Sequence, residues 1–125
     1  PFAFSELLAR IRALSRRPQN FVTKVLKLDD LIVDTTTFEV KRAEKKISLS
    51  KKEFLLLEYL LRNKNLVLHR EQILEQVWSY ESDVLPNTVQ VYIGYLRNKI
   101  DKPFPGKKTL LHTVRGFGYK LGVDS

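Results

Sequence analysis

The stretch from Asn87 to Ile100, NTVQVYIGYLRNKI, constrains the fold of this chain more than any other. At helical spacing Val89, Ile93, Leu96 and Ile100 fall on one face, the pattern of an amphipathic helix with a buried seam. Asn87 is a favourable N-cap residue, and Gln90 three positions on completes the signature of a capping box. The opposite face carries Thr88, Gln90, Tyr92, Gly94, Tyr95 and Asn98, with no acid before Asp101. A solvated face ordinarily mixes Glu with Lys. Hydrogen-bonding side chains and flat rings without acids suit the major groove of DNA, and they equally describe a tyrosine-rich surface helix.

The charge balance bears on that choice. Lys and Arg number 22 against 14 Asp and Glu, a net charge of +8. Such an excess favours a polyanionic partner, nucleic acid first and an anionic membrane surface second. Cysteine is absent, which excludes disulfides, cysteine-ligated zinc and thiol catalysis and fits a reducing cytoplasm. No apolar run approaches the length of a membrane span. With 125 residues, 43% of them hydrophobic, the chain suits one domain with a real core and an appendage.

The appendage comes first. From about Ser5 to Arg17 the sequence reads as a helix, with Leu7, Leu8, Ile11 and Leu14 as its apolar stripe and arginines on its flanks. Its amphipathic pattern differs from the apolar run of a secretory signal. Pro18 ends it, and residues 18–24 read as a linker. Such a helix needs a surface to bury against, either a membrane or a neighbouring domain.

From Val25 to Ser48 short extended pieces, VLKL, LIV, FEVKR and KKISLS, alternate with polar breaks and predict a small antiparallel sheet. Ser50 opens a helix, and Glu53 closes a second capping box. Phe54, Leu57, Leu60 and Leu61 form its buried face, widened by Leu55 and Leu56, and Asn63-Lys64-Asn65 stops it. A shorter helix runs from about His69 to Trp78 with Ile73, Leu74 and Val77 inward. After the helix at Asn87, Leu110 to Val114 and Tyr119 to Leu121 read as a hairpin around Arg115 to Gly118. The expected fold is α+β: a winged helix-turn-helix with an N-terminal antiparallel sheet, three helices and a C-terminal β-hairpin wing. This fold also serves in protein–protein modules, so it does not fix the function.

Three stretches carry a family. SLSKKEFLLLEYLL, HREQILEQVW, and NTVQVYIGYLRNKI followed by TVRGFGYKL resemble the C-terminal effector domain of OmpR/PhoB-type response regulators. The likeness covers nearly everything from Val25 to Val123. PFAFSELLARIRALSRR is similar to the last helix of that family's receiver domain, without the lysine that precedes proline-phenylalanine there. The resemblance therefore implies a receiver remnant at 1–17, a linker at 18–24 and a DNA-binding domain at 25–123. The aspartate that the family phosphorylates does not occur here.

The resemblance implies a bacterial, cytoplasmic transcription regulator of a two-component phosphorelay. Its partners would be double-stranded promoter DNA, usually direct repeats, a second copy of itself on that DNA, and RNA polymerase. A histidine kinase would act on the receiver domain. The helix from Asn87 would enter the major groove and the hairpin an adjacent minor groove. Matched by position, Trp78, Thr88, Tyr92, Arg97 and Tyr119 would contact phosphates, with Thr113 beside the backbone. Gln90, Tyr95 and Arg115 would face the grooves. The loop Ser79, Tyr80, Glu81, Ser82, Asp83, Val84 and Leu85 occupies the position of the segment that meets RNA polymerase.

Elementary chemistry agrees with these roles. Gln90 offers a donor and an acceptor together, the pair that adenine N6 and N7 require. Arg115, ahead of Gly116 in a tight turn, can project into a narrow, electronegative minor groove. Gly116 and Gly118 allow positive φ and close backbone approach. Arg97 and Lys99 supply charge for phosphates. Gly94-Tyr95 departs from the arginine or long polar residues common there in the family. Gly94 costs the helix about 1 kcal/mol relative to alanine, a cost that close passage of the DNA backbone would explain. Tyr95 cannot make a bidentate guanine contact.

Plainer readings stand beside these. Trp78 ends an amphipathic helix and suits the core as well as a phosphate. Tyr119 suits a partly buried strand position, His69 a helix start and His112 a strand. Two isolated histidines make no metal site. Asp29-Asp30 reads as a turn. No nucleophile–base arrangement and no phosphate-cradling glycine loop is visible, so neither enzyme activity nor a cofactor is expected. The rival to DNA binding is a winged-helix protein-interaction module. The operator, the signal and the target genes are not readable from the sequence.

Overall fold

The computed structural model describes residues 24–78 and 84–123. The expected receiver remnant at 1–17 and nearly all of the linker lie outside the described residues, as do Ser79 to Asp83 of the loop.

Four short strands open the described part: β1 (Val25–Leu28), β2 (Leu31–Asp34), β3 (Glu39–Arg42) and β4 (Lys45–Ile47). They pair antiparallel in sequence order. Leu26, Val33, Val40 and Ile47 form one cross-strand row, and Leu28, Leu31, Arg42 and Lys45 the next on the same face. The turns explain this tight order. Ala43 and Glu44, both left-handed with φ of 51° and 66°, make a two-residue hairpin whose twist matches the strands. Between β2 and β3 the Asp34 carboxylate accepts from the Thr36 and Thr37 amides at 2.8 and 3.2 Å. That turn leaves Phe38, read from the sequence as a strand residue, at φ 63° and edge-on to Phe54.

Helix α1 (Lys51–Arg62) starts at the expected capping box. The Ser50 hydroxyl accepts from the Glu53 amide, and the Glu53 carboxylate accepts from the Ser50 amide at 2.8 Å. Phe54, Leu56, Leu57, Leu60 and Leu61 are buried. Asn63 stops the helix, its side-chain amide donating to the Tyr59 carbonyl at 2.9 Å. Helix α2 (Arg70–Trp78) begins after His69, whose backbone N–H donates to the Gln72 side chain at 3.3 Å. Ile73, Val77 and Trp78 are buried, while Leu74 is only partly so.

Helix α3 (Thr88–Ile100) buries the expected seam, with Val89, Ile93, Leu96 and Ile100 all at 1% exposure or less. Each such side chain contributes about 1.5–3 kcal/mol of burial. The capping box expected at Asn87 and Gln90 does not form. Asn87 has ψ near 12°, not the extended backbone that a cap requires, and its side chain makes no cap bond. A backbone turn starts the helix instead, with the Thr88 amide donating to the Leu85 carbonyl at 3.1 Å.

The hairpin of β5 (Leu111–Val114) and β6 (Gly118–Leu121) closes the fold. Leu68, between α1 and α2, adds a third strand position by exchanging two backbone hydrogen bonds with Tyr119, at 2.8 and 3.0 Å. Gly118 is required there, since a Cβ would lie 2.0 Å from the Leu68 carbonyl oxygen. The sheet, the three helices and the base of the hairpin enclose one apolar core.

Candidate nucleic-acid interface

The outer face of α3 is built as its period requires. Gln90, Val91, Tyr95 and Asn98 are exposed, and Thr88, Tyr92 and Gly94 half-buried. No acidic residue occupies its first turn. Val91 belongs to neither of the two faces read from the sequence. It stands one turn before Tyr95 and adds an apolar patch suited to a thymine methyl. The space above Gly94 is open: a Cβ there would meet nothing within 4 Å. Packing within the domain therefore does not require this glycine.

Of the side chains proposed from the sequence, six fall into two groups, while Thr88, Gln90 and Arg115 stand outside both. The first is aromatic. Trp78 is buried and meets Tyr92 edge-on at 5.2 Å, and Tyr92 meets Tyr95 edge-on at 5.3 Å. The Lys52 ammonium lies 5.8 Å from the Trp78 ring centroid and donates to the Val77 carbonyl at 3.0 Å. Trp78 thus supports Tyr92 from beneath. Such edge-to-face pairs contribute about 0.5–1.5 kcal/mol beyond burial and fix ring orientation.

The second group joins helix to wing. Arg97 donates to the Leu111 carbonyl at 3.4 Å and to the Thr113 hydroxyl. Thr113 faces Tyr119 across the hairpin, and Tyr119 is tied to Leu68. Arg115 stands apart at the exposed hairpin tip, beside Gly116 at φ 83°.

Lys99 does not do what its charge alone suggested. Its ammonium lies 2.7 Å from Glu53 Oε1, facing α1. Burial pushes the Glu53 carboxyl up, but the Lys99 hydrogen bond and the Ser50 amide outweigh it and hold it below the ordinary glutamate range. Lys99 thus pairs with Glu53 while remaining 39% exposed.

Two further exposed residues border the wing. Phe117, at 64% exposure, stands at the tip next to Arg115. Arg70, at the start of α2, lines with it a groove of about 370 Å³ between α2 and the hairpin. The signal for both was present in HREQ and RGFGY, but exposure is a property of the fold. Of the expected polymerase loop, Val84 is half-buried and Leu85 exposed. Among the described residues no group of acidic or histidine side chains could hold a metal ion. No described helix is long and apolar enough to cross a membrane.

Residues 44–121 match the family model described as "Transcriptional regulatory protein, C terminal". The chain belongs to the OmpR/PhoB-type family of transcription-regulator DNA-binding domains. This family is not catalytic. The chain is 46% identical over 124 residues to the response regulator MprA of Mycobacterium tuberculosis, covering 97% of this chain and 53% of that protein. It therefore spans about half the length of the curated relatives it matches. Among solved structures it is similar to the response regulator DrrB of Thermotoga maritima, an OmpR/PhoB homologue. That match has 34% identity and a TM-score of 0.70, covering 80% of this chain and 45% of that one. It is also similar to the DNA-binding domain of the response regulator AdeR in complex with an intercistronic region. There the identity is 25% and the TM-score 0.67, covering 77% of this chain and 97% of that one.

Proposed function

We propose that this domain reads promoter DNA with α3 in the major groove and the hairpin tip in an adjacent minor groove. The observation that carries the reading is the brace from Arg97 to Thr113, which holds an acid-free helix face and a basic tip in one fixed relation. In this reading Gln90, Val91 and Tyr95 meet base edges, and Arg115 enters the minor groove. Thr88, Tyr92, Arg97, Thr113 and Tyr119 line the phosphate backbone, with Trp78 as support beneath Tyr92. The AdeR complex supports DNA as the partner over a protein-interaction module.

The rest follows the relatives. We propose that the whole protein is a cytoplasmic response regulator that binds direct repeats as a dimer. A histidine kinase would act on a receiver domain for which residues 1–17 supply the last helix. The loop Ser79 to Leu85 would meet RNA polymerase.

A gel shift with salt titration on DNA upstream of the chain's own gene tests DNA binding. Each phosphate neutralised by Arg97, Arg115 or a neighbouring lysine should add about −0.9 to the slope of log K against log salt. Gln90→Ala should relax preference at one base pair, at a cost of roughly 1–3 kcal/mol there. Arg115→Ala should weaken sites with A·T-rich wing contacts most. A flat salt response would remove the DNA reading.

A further inference from the structure

Arg42 lies fully buried in β3, at 0% exposure. Its guanidinium gathers acceptors from three distant parts of the chain. Nε donates to Asp30 Oδ1 at 2.9 Å. Nη1 donates to Asp101 Oδ1 at 2.8 Å and to the Ile100 carbonyl at 2.6 Å. Nη2 donates to the Lys108 carbonyl, and the Phe104 ring centroid lies 5.4 Å from the guanidinium carbon. Asp101 is the C-cap residue of α3. Its two carboxylate oxygens also accept from the Leu110 and Leu111 amides at 3.0 and 3.1 Å, where β5 begins.

One carboxylate therefore holds the end of the recognition helix and the start of the wing, and one arginine from the N-terminal sheet holds that carboxylate. The connection between them has neither helix nor strand and contains Pro103, Pro105 and Gly106. Its own backbone bonds are two turns, from the Phe104 amide to the Asp101 carbonyl and from the Lys107 amide to the Phe104 carbonyl, both at 3.0 Å. A buried ion pair adds little stability over apolar packing of the same volume. What a guanidinium adds is direction, because its N–H groups form a rigid fork.

We infer that the Arg42–Asp101 pair anchors the base of the wing to the end of the recognition helix and sets the angle between them together with the Arg97–Thr113 brace, making Arg42 a positioning residue for sequence readout. The inference rests on the DNA reading above. A displacement of Asp101 by an ångström would shift the wing tip against the minor groove while α3, packed by its apolar seam, keeps its place. The device would act on which bases are distinguished more than on how tightly DNA is held.

The test is a cycle in the 125-residue chain: Arg115→Ala, Asp101→Asn and the double variant. Each is titrated against an operator duplex, a duplex changed only under the wing, and one changed only under Gln90. Asn keeps the volume of Asp101 and one acceptor but not the charge that faces Arg42. Arg115→Ala should lower affinity about tenfold in the wild-type background and less than about threefold in the Asp101→Asn background. Discrimination under Gln90 should stay within about twofold in Asp101→Asn. Arg42→Lys, which keeps the charge but cannot reach all four acceptors, should weaken wing discrimination in the same sense. If Asp101→Asn melts below the assay temperature, Arg42→Lys, which leaves the Asp101 bonds to the Leu110 and Leu111 amides in place, carries the same cycle. An Arg115→Ala effect of equal size in both backgrounds overturns the inference and leaves Arg42 as fold support. A wild-type chain that does not distinguish the duplexes overturns the DNA reading and this inference together, and shows it before any variant is made.

Discussion

The Arg97 guanidinium on α3 donates to the hydroxyl of Thr113 on β5, so a residue matched to a phosphate contact also braces the helix against the wing. Arg97 is half-buried and Thr113 exposed. Thr113→Val removes the acceptor but keeps the shape, and should cost about 1 kcal/mol in a urea melt. Arg97→Ala should weaken binding to all sequences alike and lower the salt slope by about 1. A slope unchanged in Arg97→Ala would make the residue a brace only.

Gly94 should show stability and affinity moving in opposite directions. A Cβ at this position meets nothing within 4 Å, so Gly94→Ala should stabilise the free domain by up to about 1 kcal/mol. If the DNA backbone passes close to α3 there, the same methyl should weaken binding several-fold. Thermal melts with and without operator read both effects. A variant that gains stability and binds as well as wild type would leave the glycine without a role on DNA.

The unequal legibility of the chain has physical causes. The seam of α3 and the capping box of α1 were readable because period and local hydrogen bonding act within a few residues. Arg42 was hidden although alternation in FEVKR puts it on the face of Val40. An arginine at a core position conflicts with ordinary burial preference, and its partners lie 12 and 59 residues away. The Lys99–Glu53 pair was hidden for the same reason, since sequence shows charge but not direction and Glu53 is 46 residues distant. The Asn87 box failed because Asn87 sits in a backbone turn with ψ near 12° instead of the extended conformation that aims a cap side chain at the helix amides.

The Glu53–Lys99 pair should be visible in acid. The folded Glu53 carboxyl sits below its ordinary range. A group with a depressed folded pKa adds stability above its unfolded pKa and loses it as pH falls through the folded value. The Lys99→Met variant should therefore flatten the fall in stability at acid pH. At neutral pH it should cost about 1–2 kcal/mol, since it leaves a nearly buried carboxylate short of a partner. The salt slope of DNA binding should not change. A slope reduced by about 1 would return Lys99 to the phosphates.

The two wing glycines should differ sharply. Gly116 has φ of 83° but open space around its Cα, so Gly116→Ala meets only backbone strain, about 1 kcal/mol. Gly118→Ala places a methyl 2.0 Å from the Leu68 carbonyl oxygen and must break the bridge to Tyr119. It should cost more than about 2 kcal/mol and expose the Leu68 and Tyr119 amides to hydrogen exchange. Equal losses in the two variants would show that the bridge does not hold the hairpin base.

Trp78 decides between a phosphate contact and a support. Its burial and its edge-on contact with Tyr92 favour support. Trp78→Ala removes the ring and opens a cavity, which should cost about 3–5 kcal/mol and disorder Tyr92 and Tyr95 together. Trp78→Phe keeps an aromatic surface beneath Tyr92 while losing the indole N–H and part of the ring volume. Affinity for operator DNA should then stay within about threefold, less than the roughly tenfold that a lost charge-assisted phosphate hydrogen bond removes. A urea melt with an unchanged denaturant slope would confirm that the Phe variant folds as wild type does. If that well-packed variant binds about tenfold more weakly, the indole N–H reaches a phosphate and Trp78 belongs among the DNA contacts.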